Sequence, residues 1–166
     1  MRKKKYGQWI LTDPTPIRLC DPCYYPDRYD NAHCCLTLPA GTWSCYLWTQ
    51  LKHSTDHKGS PVDYRLPGVL GIYLNGNIPF QGQMKSVYDI PVDSGLAGFF
   101  RQFSYDSHDQ TSWEKFVRRV PLKNYGVLCN QKFFLSCTAE GDGCYDVSVA
   151  KDPETQQLIA AEIRFL

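Results

Sequence analysis

The chain has 166 residues and a formal net charge of +1, with 18 Lys and Arg against 17 Asp and Glu. That length suits one domain with a single core. An apolar fraction of 43% with 21% charged residues excludes wholesale disorder, and near-neutrality excludes the field that grips duplex nucleic acid.

At the N-terminus the basic run Arg2 to Lys5 reads as a flexible, solvated arm on a single β-rich domain spanning 1–166. Tyr6 to Leu11 follows it, too short for a signal-peptide core and ended by Asp13-Pro14. No stretch approaches the ~20 apolar residues of a membrane helix. The expectation is a cytosolic protein with no membrane partner.

Aromatic residues make up 14% of the chain, which favours pleated, half-buried surfaces. Ile17 to Cys20 predicts a first strand, closed by Asp21-Pro22. Cys34 to Leu38 and Thr42 to Leu51, joined by Pro39-Ala40-Gly41, predict a hairpin. In its second member Trp43, Cys45 and Leu47 alternate with Ser44, Tyr46 and Trp48, so both faces are substantial and one can present aromatic rings to a ligand. Leu51 to Val62 is polar and reads as an exposed loop.

Val69 to Leu74, ended by Asn75-Gly76-Asn77, and Ser86 to Val92, ended by Asp93-Ser94-Gly95, are further strands. Trp113, Phe116, Val117 and Val120 share one helical face, which predicts a short helix over 111–120 stopped by Pro121. Lys132 to Thr138, Cys144 to Lys151 and Leu158 to Leu166 predict an antiparallel meander. In its last strand Ile159, Ala161, Ile163 and Phe165 are placed on the core face. The fold class expected is mainly β, with α+β as the alternative: an antiparallel β-sandwich or rolled sheet.

Eight cysteines in a reducing compartment are buried thiols or metal ligands rather than a disulfide framework. Cys20-Asp21-Pro22-Cys23 has the spacing of half a zinc site, but Cys34-Cys35 is an awkward second half. Thiols packed as small hydrophobes account better for both, so no metal or cofactor is expected. His53 and His57 sit in a polar stretch without the glutamate a metalloprotease needs.

Three acidic turns remain: Asp21 to Tyr24, Asp93-Ser94-Gly95, and Gly141-Asp142-Gly143. Gathered at one end of a sheet, their carboxylates would meet a cation or a polar ligand. As turn-builders they would instead accept backbone N–H bonds, and Asn at any of the three would then cost only about 0.5–1.5 kcal/mol.

The same turns carry a resemblance. Asp21-Pro22-Cys23-Tyr24, Val92-Asp93-Ser94-Gly95 with Ala97-Gly98-Phe99, Gly141-Asp142-Gly143-Cys144-Tyr145 and Ile163-Arg164-Phe165 resemble, in order, the elements of a family of small uncharacterised β-rich proteins of bacteria and phages. The chain departs from that pattern at Ser136 to Glu140 and at Arg101. The resemblance implies a compact β fold and a bacterial or phage setting in the host cell, and supplies no activity.

The functional expectation is therefore a non-enzymatic binding module, an accessory or counter-defence protein that binds a host protein or sequesters a small, nucleotide-like ligand. Aromatics would stack on a base, while turn N–H groups and arginines such as Arg65, Arg101, Arg118 and Arg119 meet phosphates. Asp21, Tyr24, Trp43, Trp48, Asp93, Ser94, Arg101, Asp142 and Tyr145 are the candidate binding residues. The alternative is a metal-dependent hydrolase built on Asp21, Asp93 and Asp142.

Overall fold

The computed structural model describes residues 1–24, 32–102 and 123–166. Within them lie strands β1 (Arg2–Leu11), β2 (Thr15–Cys20), β3 (His33–Leu38), β4 (Gly41–Thr55), β5 (Pro61–Leu74), β6 (Lys85–Val92), β7 (Leu96–Arg101), β8 (Leu128–Cys129), β9 (Phe133–Cys137), β10 (Gly143–Lys151) and β11 (Leu158–Arg164). One sheet runs β1-β4-β5-β11-β10-β6 and the other β3-β2-β7-β9-β8, with every neighbouring pair antiparallel. The fold is mainly β, as the alternation predicts, in a sandwich-like arrangement. Among the described residues no helix is long and apolar enough to cross a membrane. The helix expected over 111–120 lies outside the described residues.

Period-2 patterning explains the layers. Trp9, Ile17, Leu38, Trp43, Leu47, Ile72, Ile90, Phe99, Phe134, Val147 and Ile163, drawn from both sheets, form one buried cluster. Two inner faces that interdigitate in this way are what make a sandwich hold. β7, central in its sheet, is buried along Leu96 to Phe100, and so reads as a continuous apolar run rather than an alternating one.

Three expectations are corrected. Arg2 to Lys5 is no loose arm: it belongs to β1 and pairs with Tyr46 to Thr49 of β4. Lys and Arg are suited to an edge strand, where charge blocks pairing with another chain. The stretch from Leu51 to Val62 is no open loop either. β4 and β5 continue as a hairpin whose pairing reaches Thr55 and Pro61. Its polar residues are tolerated because most are exposed, and His53 Nδ1 meets Asp63 Oδ1 at 2.7 Å across the pair. Finally, the β10–β11 register slips between Ala150↔Ala160 and Lys151↔Leu158. That bulge turns Ile159 out of the main core, while Leu158, Ala161, Ile163 and Phe165 remain in it.

The outer face of the six-stranded sheet has its own small core of Tyr73, Ala150 and Ala160, flanked by Tyr46, Trp48, Met84 and Ile159. Tyr73 lies across Gly71, where any Cβ would overlap its hydroxyl. It donates to Glu162 Oε1 at 2.6 Å, and Arg164 Nη2 donates to Glu162 Oε2 at 2.7 Å. Burial, then the Glu162 charge, pushes the Tyr73 hydroxyl far above its ordinary range.

Candidate functional site

The three acidic turns do meet at one end of the fold, but around a buried clamp. Asp21 is fully buried. Its Oδ1 accepts from the Cys23 N–H at 2.7 Å and the Ser94 hydroxyl at 2.6 Å. Its Oδ2 accepts from the Asp93 and Ser94 N–H groups, each at 2.7 Å. Four donors satisfy the lone-pair sites of one carboxylate, so a cation approaching Asp21 would face hydrogens.

The third turn is joined through Gly95, whose carbonyl accepts the Thr138 N–H at 2.9 Å. The hydroxyls of Thr138 and Tyr145 both bond the Gly141 carbonyl, at 2.6 and 2.8 Å. Burial, then a hydrogen bond to the Asp93 carboxylate, raises the Tyr24 hydroxyl well above its usual range. The Cys23 thiol is raised by burial and then by the Asp21 charge. Asp93 and Asp142 are exposed. Among the described residues no group of three or more His, Cys, Asp or Glu is placed to hold a metal ion.

The other candidates scatter. Trp43 is in the core with no exposed surface, its ring N–H donating to the Pro39 carbonyl at 3.0 Å; it offers a ligand no face. Tyr145 is buried, edge-on to Phe165 with centroids 5.4 Å apart. Trp48 is half-buried on the outer face, 5.3 Å from the Tyr73 ring and 5.8 Å from that of Tyr46. Arg101 ends β7, reaching the Gln131 carbonyl at 3.5 Å. Cys34 and Cys35 are neighbours on β3, one buried and one exposed, so they point to opposite faces and cannot ligate one ion. Burial, then the neighbouring Cys35, pushes the Cys34 thiol up to about 11.

A different constellation emerges at the N-terminal strand. Arg2, Lys4 and Tyr6 of β1, Leu47 and Thr49 of β4, Arg65 of β5 and Tyr125 line a recess of about 150 Å³. Arg2 and Lys4, two residues apart on a strand, share a face, while Lys3 lies 5.2 Å from the Tyr46 ring centroid. Lys4 Nζ stands 4.8 Å from the Tyr6 ring centroid. Burial, then the neighbouring Tyr125, raises the Tyr6 hydroxyl. Among the described residues, three cations and no carboxylate line this space.

A larger groove of about 550 Å³, lined by Gln83, Lys85, Val87, Val149, Lys151, Pro153 and Gln156, has two lysines on flexible stems and, among its described lining residues, no aromatic ring. The smaller recess is therefore the more specific site. The sequence signal for it was weak: the basic run and Arg65 are visible, but only the β1-β4-β5 pairing brings them together. Comparison with protein families, with curated proteins and with solved structures found no match.

Proposed function

We propose that this chain is a binding module that takes a small phosphate-bearing, nucleotide-like ligand without transforming it, its phosphates held among Arg2, Lys4 and Arg65. The supporting observation is the convergence of these three cations from two strands in a recess that, among the described residues, no carboxylate lines. Like charges held together repel one another, and an anion relieves that repulsion. Guanidinium groups match phosphate oxygens in pairs. The recess volume suits one or two phosphate groups, with Tyr125 and Tyr6 supplying aromatic surface for a base. In the bacterial or phage setting that the sequence resemblance implies, the protein would act as an accessory or counter-defence factor, withholding a nucleotide signal from its receptor.

Calorimetry with pyrophosphate and with ADP at low salt tests this. Wild type binds both, Arg2→Ala and Arg65→Ala bind progressively more weakly, and Lys151→Ala, in the larger groove, binds as wild type. Absence of binding in wild type, or loss confined to Lys151→Ala, would overturn the reading.

A host-protein partner is favoured by a separate surface. Met1, Trp48, Val69, Ile78 and Arg164 line a recess of about 180 Å³ on the outer sheet face, and Trp, Met and Arg are the residue types that interface centres enrich. Trp48→Ala would abolish capture of such a partner and leave pyrophosphate binding intact.

A further inference from the structure

We infer that Cys45 and Cys129 form an oxidation site, a thiol pair poised to close a disulfide between the two sheets. The argument begins at a β-bulge. The β1–β4 register slips between Lys5↔Tyr46 and Gly7↔Cys45, which sets Gly7 directly opposite Cys45 with both Cβ directions on one face. Gly7 leaves its share of that face empty, and Cys129 fills it: a Cβ at Gly7 would stand 2.7 Å from Cys129 Sγ and 3.7 Å from Cys129 Cβ. The Cys129 side chain thus occupies the position of a cross-strand neighbour of Cys45.

Sheets packed face to face stand ~10 Å apart, farther than a disulfide spans. Here the edges are drawn together. Gln131 Nε2 donates to the Gln8 carbonyl at 2.8 Å, the Ile10 N–H meets Gln131 Oε1 at 3.4 Å, and the Trp9 ring N–H donates to the Asn130 carbonyl. All three contacts tie β1 to the turn that follows Cys129.

The two sulfurs have different surroundings. Both thiols are free, Cys45 buried and Cys129 partly exposed. The interaction between the two thiols, then burial, raises the Cys45 thiol, and the same interaction lowers that of Cys129. Cys129, the sulfur that an oxidant can reach, is the nucleophile, and the buried Cys45 is the resolving thiol.

With hydrogen peroxide as oxidant, the Cys129 thiolate attacks one peroxide oxygen, an S–O bond forms and the O–O bond breaks. The proton taken up at the departing oxygen makes water, leaving Cys129 as the sulfenic acid. The Cys45 sulfur then attacks Cys129 Sγ and loses its proton. The S–S bond forms, the S–O bond breaks, and a second water leaves. Overall two thiols are oxidised and one peroxide is reduced to two waters; a dithiol reverses the link by exchange. Cys34 and Cys35, adjacent in sequence, are less suited, since they point to opposite faces of β3.

The test uses the whole purified chain. It is exposed to stoichiometric hydrogen peroxide, blocked with N-ethylmaleimide, digested without reduction and read by mass spectrometry. The expected result is a Cys45–Cys129 cross-linked peptide that dithiothreitol removes, with Cys35 and Cys144 recovered as alkylated thiols. Cys129→Ser should abolish the link and leave Cys45 unoxidised. Peroxide that oxidises the exposed Cys35 or Cys144 while Cys45 and Cys129 stay unlinked would overturn the inference, as would Cys129 recovered only as its sulfinic acid.

Discussion

Replacing Asp21 with Asn leaves size and shape almost unchanged but reverses the polarity of one atom in a closed set of four hydrogen bonds. If the new amide nitrogen takes the Oδ2 position, it faces both the Asp93 and Ser94 N–H groups. If it takes the Oδ1 position, it faces only the Cys23 N–H, and the Ser94 hydroxyl can rotate to accept from it. The second arrangement is cheaper, yet it still leaves one buried N–H without an acceptor, a loss of about 1–3 kcal/mol. The remaining bonds also lose the strength that a charged acceptor lends, roughly half of it by the usual comparison. Together these give about 2–4 kcal/mol, a Tm lower by roughly 5–15 °C for a domain of this size. That exceeds the about 0.5–1.5 kcal/mol expected for an isolated turn hydrogen bond, because Asp21 clamps two turns and not one. Asp142→Asn, at an exposed position, is the matched control and should change stability by under about 0.5 kcal/mol. Urea melts of the three proteins measure the difference. Equal, small losses at both positions would refute the clamp.

Phe165 is 4% exposed in the main core, so Phe165→Ala should cost about 3–5 kcal/mol in the same melts. Arg164→Ala, on the opposite face from Phe165, should cost about 1–3 kcal/mol, because it strips the guanidinium from the buried Glu162 carboxylate. In the cationic recess Arg65→Ala should weaken pyrophosphate binding about fivefold, near 1 kcal/mol for a partly exposed contact, and the difference should shrink as salt rises. The Thr155 and Glu154 N–H groups hold the Asp152 carboxylate below its ordinary range. Its contribution is therefore full above the unfolded value of about 3.9 and is lost as pH falls through the lower folded value. A carboxyl carbon titration that places Asp152 at or above that ordinary value would contradict the geometry.

Much of the fold was legible because burial on one face imposes a period of two. The alternation of Trp43, Cys45 and Leu47 with Tyr46 and Trp48 was legible, and the structure puts the first set in the main core and the second on the outer face of β4. The reading failed where a long-range partner overrode local composition. Arg2 to Lys5 is highly charged, but β4 offers it a ladder, and the polar hairpin beyond Leu51 persists through pairing without needing a core. Ile159 was assigned to the wrong face because a one-residue bulge reverses parity without any mark in the sequence.

The candidate site was legible in part. The acidic turns are visible in the sequence, where their gathering at one end enters only as a condition; nothing there marks that Asp21 turns inward to accept four bonds. Nor does composition tell an outer-face tryptophan from a core one: Trp43 and Trp48 are five residues apart and on opposite faces of β4. The cationic recess draws on positions 2, 4, 65 and 125, a separation that only the strand order resolves.

The most direct test of the central proposal is a titration of isotope-labelled protein with ADP, followed by backbone and side-chain resonances. The account predicts saturable shifts centred on Arg2, Lys4, Tyr6, Thr49, Arg65 and Tyr125, lost when Arg2 and Arg65 are both replaced by Ala. Shifts centred on Asp93 and Asp142, or spread evenly over the surface lysines, would contradict it.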